Sequence, residues 1–289
     1  MAGLALLCGG CSGGILDPAG PIGGAERKIL LDALAIMLAI VIPTIVATLA
    51  VAWWYRASNK RARYRPNFVY SGRLELIIWS IPALVIFFLG GIAWIGSHRL
   101  DPAQPIPAAR HQPVEIEVVA LDWKWLFIYP QQGIAAVNRM VVPADTPLRL
   151  RITSATVLNV FFVPRLGTMI YAMYGMSSSL NLQADQLGSY LGEAAHFNGD
   201  GFSDMRFDVQ TLAPAQFNAW VQDVRGSVNG RSLDADSYRL LLRQSQNVPP
   251  YFYRSVQPGL FEAILHQQLP PGEGPRTGRP GSDVRFKRE

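Results

Sequence analysis

The side chains best able to ligate a metal are concentrated in one Gly-rich stretch, residues 192–205. They are Glu193, His196, Asp200, Asp204 and Met205. Carboxylates and an imidazole could form a weak site for zinc or for a hard cation. Their spacing matches no common ligand arrangement, however, so the pattern favours a surface histidine and a methionine that fills the core.

Both cysteines, Cys8 and Cys11, precede the first long apolar segment. The rest of the chain therefore has no disulfide and no thiolate ligand. His98 and His111 fall outside any ligand pattern and are expected at the surface. No nucleophile with an adjacent base, no phosphate-binding loop and no dinucleotide fingerprint occurs in the sequence.

The composition indicates that part of the chain lies in lipid. Of 289 residues, 49% are hydrophobic and 16% are charged, whereas soluble domains average about 25% charged residues. The net charge of +5 is not spread as a nucleic-acid-binding face would be. We therefore expect no nucleic-acid partner.

Two segments without any charge, Ala33–Tyr55 and Leu76–Ile95, are long enough to span a bilayer. They predict membrane helices at 29–55 and 74–97. Each contains one proline, which neighbouring helices can accommodate in a membrane.

The predicted loop 56–73 is basic and contains no acidic residue. Its basic residues are Arg56, Lys60, Arg61, Arg63, Arg65 and Arg73. The excess of positive charge places this loop in the cytoplasm and both termini outside. The chain is thus expected to be multi-pass in a bacterial inner membrane, with everything from about His98 onward in the periplasm.

Residues 1–28 are expected to form a periplasmic N-terminus. The run Leu6 to Cys11 resembles the end of a lipoprotein signal, although the apolar run before it is short and no basic region precedes it. Lipidation of Cys11 is the favoured hypothesis, and an ordinary free thiol is the alternative.

Beyond the membrane segments, residues 98–212 predict a β-sandwich. Val114–Val119 alternates with a period of two, as a half-buried strand does. Further β-like runs are Trp123–Tyr129, Arg139–Val142, Leu148–Thr153, Val160–Val163 and Leu180–Gln183. Pro and Gly separate many of these runs, which is typical of sandwiches and barrels.

Residues 213–289 differ from the predicted sandwich in the spacing of their apolar residues. Phe217, Trp220, Val221 and Val224 recur at helical spacing. They begin a predicted helical extension, 213–269, with two more short helices at 234–246 and 258–267. The Pro- and Gly-rich tail 270–289 is expected to be disordered.

Several stretches together resemble subunit II of the haem-copper respiratory oxidases. They are the helix pair, the run Asp122-Trp-Lys-Trp-Leu-Phe-Ile-Tyr-Pro130, the run Phe161-Phe-Val-Pro-Arg-Leu-Gly167, and Gly188-Ser-Tyr190 with the following Gly-rich loop. The resemblance covers roughly residues 16–269 and implies a cupredoxin-like sandwich. The first run and the Ala57–Lys60 turn are similar to the cytochrome bo-type ubiquinol oxidases in particular.

The copper-binding branch of that family holds two copper ions with two cysteines, a glutamate, two histidines and a methionine. On this sequence Asn159 and Phe202 stand at the positions of the two histidines, and His196 stands at that of the glutamate. Ala194 and Asn198 stand at the cysteine positions, and Met205 at that of the methionine. Only the methionine is retained. A lone thioether cannot replace bridging thiolates, so we expect no metal and no cofactor in this chain.

The resemblance implies the non-catalytic subunit II of a proton-pumping oxidase that converts ubiquinol and O₂ to ubiquinone and water. Haems and copper would belong to subunit I, which this chain would scaffold and cap. Smaller subunits, membrane lipid and ubiquinol as the substrate of the complex are the other implied partners, whereas cytochrome c is not.

The resemblance also assigns roles to one glutamate and to two tryptophans. Glu75, at the start of the second helix, would lie at the entrance of a proton channel of subunit I; the alternative is a carboxylate solvated at the interface. Trp123 and Trp125 match an aromatic strand that accepts electrons in the copper-binding branch, and here packing is the favoured role.

The sequence leaves two alternative functions. A copper-bearing cytochrome c oxidase subunit is disfavoured by the absent cysteines. A stand-alone periplasmic lipoprotein or sensor domain would need a ligand pocket with converging polar groups.

Overall fold

The computed structural model describes residues 14–63, 66–106, 111–228 and 230–274. It separates into two compact units. We call Glu26–Leu100 the helical unit. Residues 14–25 and the described residues from Asp101 onward form the second unit, which we call the β-domain. Cys8, Cys11 and Arg65 lie outside the described residues.

The helical unit consists of most of α1 (Pro21–Trp54) and of α2 (Gly72–Arg99). At a rise of about 1.5 Å per residue, helices of 34 and 28 residues are ~51 and ~42 Å long. Both exceed the ~30 Å of a hydrocarbon core. Large apolar side chains remain uncovered, as at Phe87, which is 79% exposed. Both helices are therefore apolar and long enough to cross a membrane.

The β-domain is built on two sheets. The strands are β1 Val114–Leu121, β2 Lys124–Tyr129, β3 Ile134–Val137, β4 Arg139–Pro143, β5 Pro147–Ser154, β6 Asn159–Val163, β7 Gly167–Ala172, β8 Ser178–Gln183, β9 Gly188–Ala194, β10 Arg206–Leu212, β11 Arg231–Leu233 and β12 Tyr251–Val256. Seven strands form one sheet in the order β11-β12-β3-β2-β1-β5-β8. The other sheet has the order β4-β10-β9-β6-β7. A cupredoxin-like sandwich is thereby confirmed.

Strand β2 is buried on both of its faces. Trp125, Phe127 and Tyr129 point into the core between the two sheets. Leu126 and Ile128 point to the opposite side, into a second core. A strand covered on both sides has no need for alternation with polar residues, which explains why this run is almost continuously apolar.

The second core is formed by the C-terminal part of the chain. After α3 (Pro214–Gly226), the helices α4 (Ala235–Leu241) and α5 (Leu260–Leu265) supply the buried residues Tyr238 and Phe261. These helices cover the face of the seven-stranded sheet that is turned away from the other sheet.

The expectation that 213–269 is helical was incomplete. Its three helices are present, but β11 and β12 lie between them and extend the seven-stranded sheet. β12 pairs antiparallel with β3, with Tyr251 opposite Val137. Aromatic residues fit such a pleated, half-buried surface well, and the short run Tyr251-Phe-Tyr253 has too few residues to show a period.

The expected disordered tail, 270–289, begins as an ordered segment. The amide of Gly272 donates to the carbonyl of Ala155 at 3.1 Å. The amide of Gly274 donates to Oδ2 of Asp122 at 2.9 Å. The disorder prediction is therefore wrong for these residues, because backbone hydrogen bonds need no hydrophobic periodicity. Residues 275–289 lie outside the described residues.

The segment before α1 is part of the β-domain. Ala19 is buried in its core, donates to the carbonyl of Arg165 at 2.8 Å, and accepts from the amide of Asp185 at 2.8 Å. An ion pair of 2.8 Å joins Arg165 to Asp17. A Cβ on Gly20 would lie 1.9 Å from the carbonyl oxygen of Gln183, so this approach of two backbones requires glycine.

Candidate functional site

The six positions assigned to a lost copper site lie on two strands of the five-stranded sheet and on one loop between its strands. Asn159 begins β6, and Ala194 ends β9. The other four, His196, Asn198, Phe202 and Met205, lie on the loop between β9 and β10, which contains a single 3₁₀ turn at Phe202–Asp204.

Three of these side chains are in direct contact in a buried cluster. The Nδ2 group of Asn198 donates to Oδ1 of Asn159 and, at 3.1 Å, to the sulfur of Met205. The Nδ2 group of Asn159 donates to the carbonyl of Val157 at 3.0 Å. We call Asn159, Asn198 and Met205 the amide–thioether cluster. It contains no ionisable group and no thiolate.

One atom of the cluster has no partner. Oδ1 of Asn198 is buried and accepts no hydrogen bond from the described residues. A buried acceptor left in this state costs about 1–3 kcal/mol. The cluster is therefore held by the two bonds that Nδ2 of Asn198 donates and by the packing around it, and not by full satisfaction of its polar atoms.

Backbone bonds place Ala194 beside the cluster. Its amide donates to the carbonyl of Met205 at 3.1 Å, and the amide of Ala195 donates to the carbonyl of Val160 at 3.1 Å. These bonds close the base of the loop. Ala194 itself is buried and contributes only a methyl group.

The loop packs against Trp123. A Cβ on Gly201 would lie 2.3 Å from Cγ of this indole, so the loop backbone contacts the ring directly. Trp123 has a φ of 63°, which is uncommon for a bulky residue. Its position between β1 and β2 turns the indole onto the loop. Packing is thus the contact that the structure provides for this side chain.

Trp125 lies deeper, in the core between the sheets. Its ring meets Phe161 and Phe207 edge-on, with ring centroids 5.5 and 5.6 Å apart. Such edge-to-face arrangements are favourable for aromatic pairs. The sequence indicated packing for Trp125, but it gave no indication that these two phenylalanines are its neighbours.

The two remaining side chains take no part in the hydrogen bonds of the cluster. His196 is exposed, and Phe202 is half-buried against Phe197 with centroids 5.5 Å apart. Among the described residues, no group of three or more His, Cys, Asp or Glu side chains is arranged to share a metal ion. The described loop therefore brings together neutral groups, and His196 is not one of them.

Two predicted residues lie elsewhere. Glu75 is exposed in the first turn of α2, where its amide donates to the carbonyl of Ser71 at 3.0 Å. A carboxylate at this end of a helix is favoured by the helix dipole. Cys11 lies outside the described residues.

The sequence did not reveal a charged network on β1 and β5. Arg151 contacts Glu117 at 3.3 Å and Glu262 at 2.6 Å. Burial raises the pKa of Glu117 to about 7, with further increases from Glu262 and Glu115 and an opposing effect from Arg151. The alternation of Glu115 and Glu117 with apolar residues hinted at a polar face, but not at its partners.

Comparison with known proteins identifies the family. Residues 115–212 match the family described as the cytochrome c oxidase subunit II periplasmic domain. Residues 229–272 match the cytochrome oxidase aromatic rich motif. The β-domain is thus periplasmic, and the two apolar helices make this a membrane-anchored protein with a periplasmic domain.

Several relatives are similar over most of their length. The chain is 47% identical to ubiquinol oxidase subunit 2 of Acetobacter aceti, over 90% of this chain and 84% of that one. It is 46% identical to cytochrome bo(3) ubiquinol oxidase subunit 2 of Pseudomonas aeruginosa, over 90% and 78%. For the corresponding protein of Pseudomonas putida the identity is 42%, over 96% and 86%. The chain therefore belongs to the family of subunit II of the cytochrome bo-type ubiquinol oxidases.

Proposed function

We propose that this chain is the subunit II of a ubiquinol oxidase that holds no redox centre itself and that scaffolds and caps subunit I. The complex would oxidise ubiquinol, reduce O₂ to water and move protons outward. Haems and copper would be in subunit I. Smaller subunits would complete the assembly, and cytochrome c would not be a substrate.

The amide–thioether cluster is the observation that carries the proposal. A pair of copper ions bridged by soft ligands needs thiolates, and the positions that would supply them are Ala194 and Asn198. Asn198 instead uses its Nδ2 group to bond Asn159 and Met205. An oxidase that takes its electrons from quinol within the lipid has no need for a copper entry site outside it.

The anchoring role is supported by the two long helices and by the number of membrane crossings that the fold allows. Residues 14–25 pack within the same unit as the β-domain, so the chain must cross any membrane an even number of times between them. Two spans with the basic loop 56–73 in the cytoplasm satisfy this condition. We place the protein in the inner membrane as a multi-pass subunit.

Glu75 and Cys11 carry two subsidiary proposals. Glu75, an exposed acid at the start of an apolar helix, would lie at the mouth of a proton channel of subunit I. Glu75→Ala should then slow oxygen reduction without altering haem content, and an unchanged turnover would contradict the role. Acylation of Cys11 would appear as a native mass that lacks residues 1–10 and carries acyl chains.

The test of the main proposal is to purify the tagged chain in mild detergent with its accompanying subunits. Its optical spectrum, its copper content and its oxygen uptake with ubiquinol or cytochrome c are then measured. We expect haem bands, about one copper atom per complex and ubiquinol-dependent uptake.

A copper content of about three with cytochrome c oxidation would show that the loop binds metal despite its residues. A colourless single chain without oxidase activity would overturn the assignment as a subunit.

A further inference from the structure

A cavity of about 470 Å³ lies beside the second core of the β-domain. Its polar lining consists of Lys124, Arg231, Ser237, Tyr251 and Tyr253, and two leucines of α4 complete the wall. This cavity is distinct from the amide–thioether cluster and lies on the opposite face of the seven-stranded sheet.

The sheet register explains why these groups converge. Tyr251 pairs with Val137 of β3, and Val137 pairs with Leu126 of β2. Lys124 precedes Leu126 by two residues and therefore shares its face. Arg231 pairs with Tyr253 across the β11–β12 ladder. Two cationic side chains thus line the same cavity, one from β2 and one from β11, with β3 and β12 between these strands in the sheet.

The ammonium of Lys124 is buried without a counter-ion in contact. It donates to the carbonyl of Arg243 at 2.6 Å and to the hydroxyl of Ser245 at 2.5 Å. Both partners are neutral, which leaves its third proton free among the described residues. Burial lowers the pKa of Lys124 to about 8, and the charge of Asp122 opposes this shift.

Asp122 is occupied by other partners. One of its oxygens accepts from the hydroxyl of Thr156 at 2.7 Å, and the other accepts from the amide of Gly274 at 2.9 Å. Within the described residues, neither Lys124 nor Arg231 forms an ion pair with a carboxylate. Asp223 lines a neighbouring cavity with Arg231 but makes no ion pair with it. Two positive charges therefore face this cavity without a paired negative charge.

Two phenol hydroxyls complete the polar lining, those of Tyr251 and Tyr253. Burial raises the pKa of Tyr253, so this phenol keeps its proton at neutral pH and can donate it.

We infer that this cavity binds a phosphate group, either as free phosphate or as the headgroup of a phospholipid. The lining carries a guanidinium, an ammonium and hydroxyls, and this number of donors suits a tetrahedral oxyanion with four acceptor oxygens. A planar carboxylate has only two oxygens and would leave some of these donors unused. This inference is independent of the redox role proposed above.

The experiment uses the full chain purified in mild detergent with the subunits that accompany it. Inorganic phosphate is titrated by calorimetry at constant ionic strength, with chloride as the exchanged anion. Short-chain phosphatidylglycerol is titrated separately. Arg231→Gln is the test variant, and Arg239→Gln is the matched control, because Arg239 is exposed on α4 and already pairs with Asp236 at 2.5 Å.

Saturable binding should weaken at least about tenfold in Arg231→Gln and stay at the wild-type level in Arg239→Gln. Tyr251→Phe should weaken it about three- to tenfold. This pattern with inorganic phosphate identifies a free anion as the ligand, and the same pattern with the lipid alone identifies a headgroup. If both ligands bind Arg231→Gln as tightly as the control variant, or if neither binds the wild type, the inference is wrong.

Discussion

Asn159 is the residue on which the amide–thioether cluster depends most. It is fully buried and links Asn198 to the carbonyl of Val157. Asn159→Ala would leave one proton of Asn198 without its partner and would remove one of the two bonds to the carbonyl of Val157, which also accepts from the hydroxyl of Ser154 at 2.6 Å. We expect the β-domain to lose about 1–3 kcal/mol of unfolding free energy in urea titrations followed by tryptophan fluorescence.

The matched control for this variant is Asn218→Ala. Asn218 is exposed on α3, where alanine is the better helix former. Its unfolding free energy should stay level or rise slightly. Equal values for the two variants would mean that the cluster does not stabilise the loop.

Glu117 should give the β-domain a measurable pH dependence. Its pKa is about 7 in the fold and has an ordinary value of 4.5. The folded state therefore holds the proton more tightly than the unfolded state, which favours folding at acidic pH. This contribution is lost as the pH rises from 4.5 through 7.

Glu117→Gln should flatten the decline in thermal stability between those two pH values, because glutamine does not titrate. Asp223→Asn, which removes an exposed carboxylate of α3, serves as the comparison and should keep the wild-type slope. A slope unchanged by Glu117→Gln would assign the pH dependence to other groups.

At the residue scale, the sequence indicated where the loop positions are, but not what they contact. The resemblance alone assigned Ala194, Asn198 and Met205 to positions of the lost copper site. The bond from Asn198 to Asn159 joins residues 39 positions apart, and the orientation of an amide depends on packing that a single sequence does not encode locally.

Gly20 is the critical position of the segment before α1. Gly20→Ala would bring a methyl group against the carbonyl of Gln183, and two backbones would have to separate. We expect protection of the Ala19 and Asp185 amides from hydrogen exchange to fall at least about tenfold. Gly24→Ala is the control, since a Cβ there meets nothing within 4 Å. Protection lost equally in both variants would show that the close approach of Gly20 to Gln183 is not the cause.

At the level of elements, the sequence predicted those helices and strands whose hydrophobic pattern is long. The six predicted β-runs all correspond to strands, and the two apolar segments correspond to helices. The strands β3, β7, β9 and β10 were also missed. Ile134–Val137 is too short to show a period, and Gly167–Ala172 and the later two strands mix polar and apolar residues over few positions. Docking of residues 14–25 on the β-domain could not be predicted, since it depends on backbone bonds to Arg165 and Asp185.

For the molecule as a whole, the proposed topology makes the β-domain and the basic loop 56–73 differ in accessibility. Ser203 is exposed on the loop of the β-domain, and Ser58 is exposed in the basic loop. A thiol reagent that does not cross membranes should label Ser203→Cys in intact spheroplasts but should label Ser58→Cys only after permeabilisation. The parent chain, with its native cysteines, provides the background. Labelling of both variants in intact cells would contradict two spans.

The bond between Arg165 and the carbonyl of Asp17 joins positions 148 residues apart, and this separation has a consequence for biogenesis. A ribosome delivers residues 14–25 first, whereas the strands that receive them emerge only after both helices and half of the sandwich have been made. Until then residues 14–25 have no strand to bond with, and their backbone amides bond only to water. Final closure of the β-domain is therefore a late event in the life of the nascent chain. A chain in which only one of the two helices crosses the membrane would keep the two parts on opposite sides, and its sandwich would stay open to the cell's proteases.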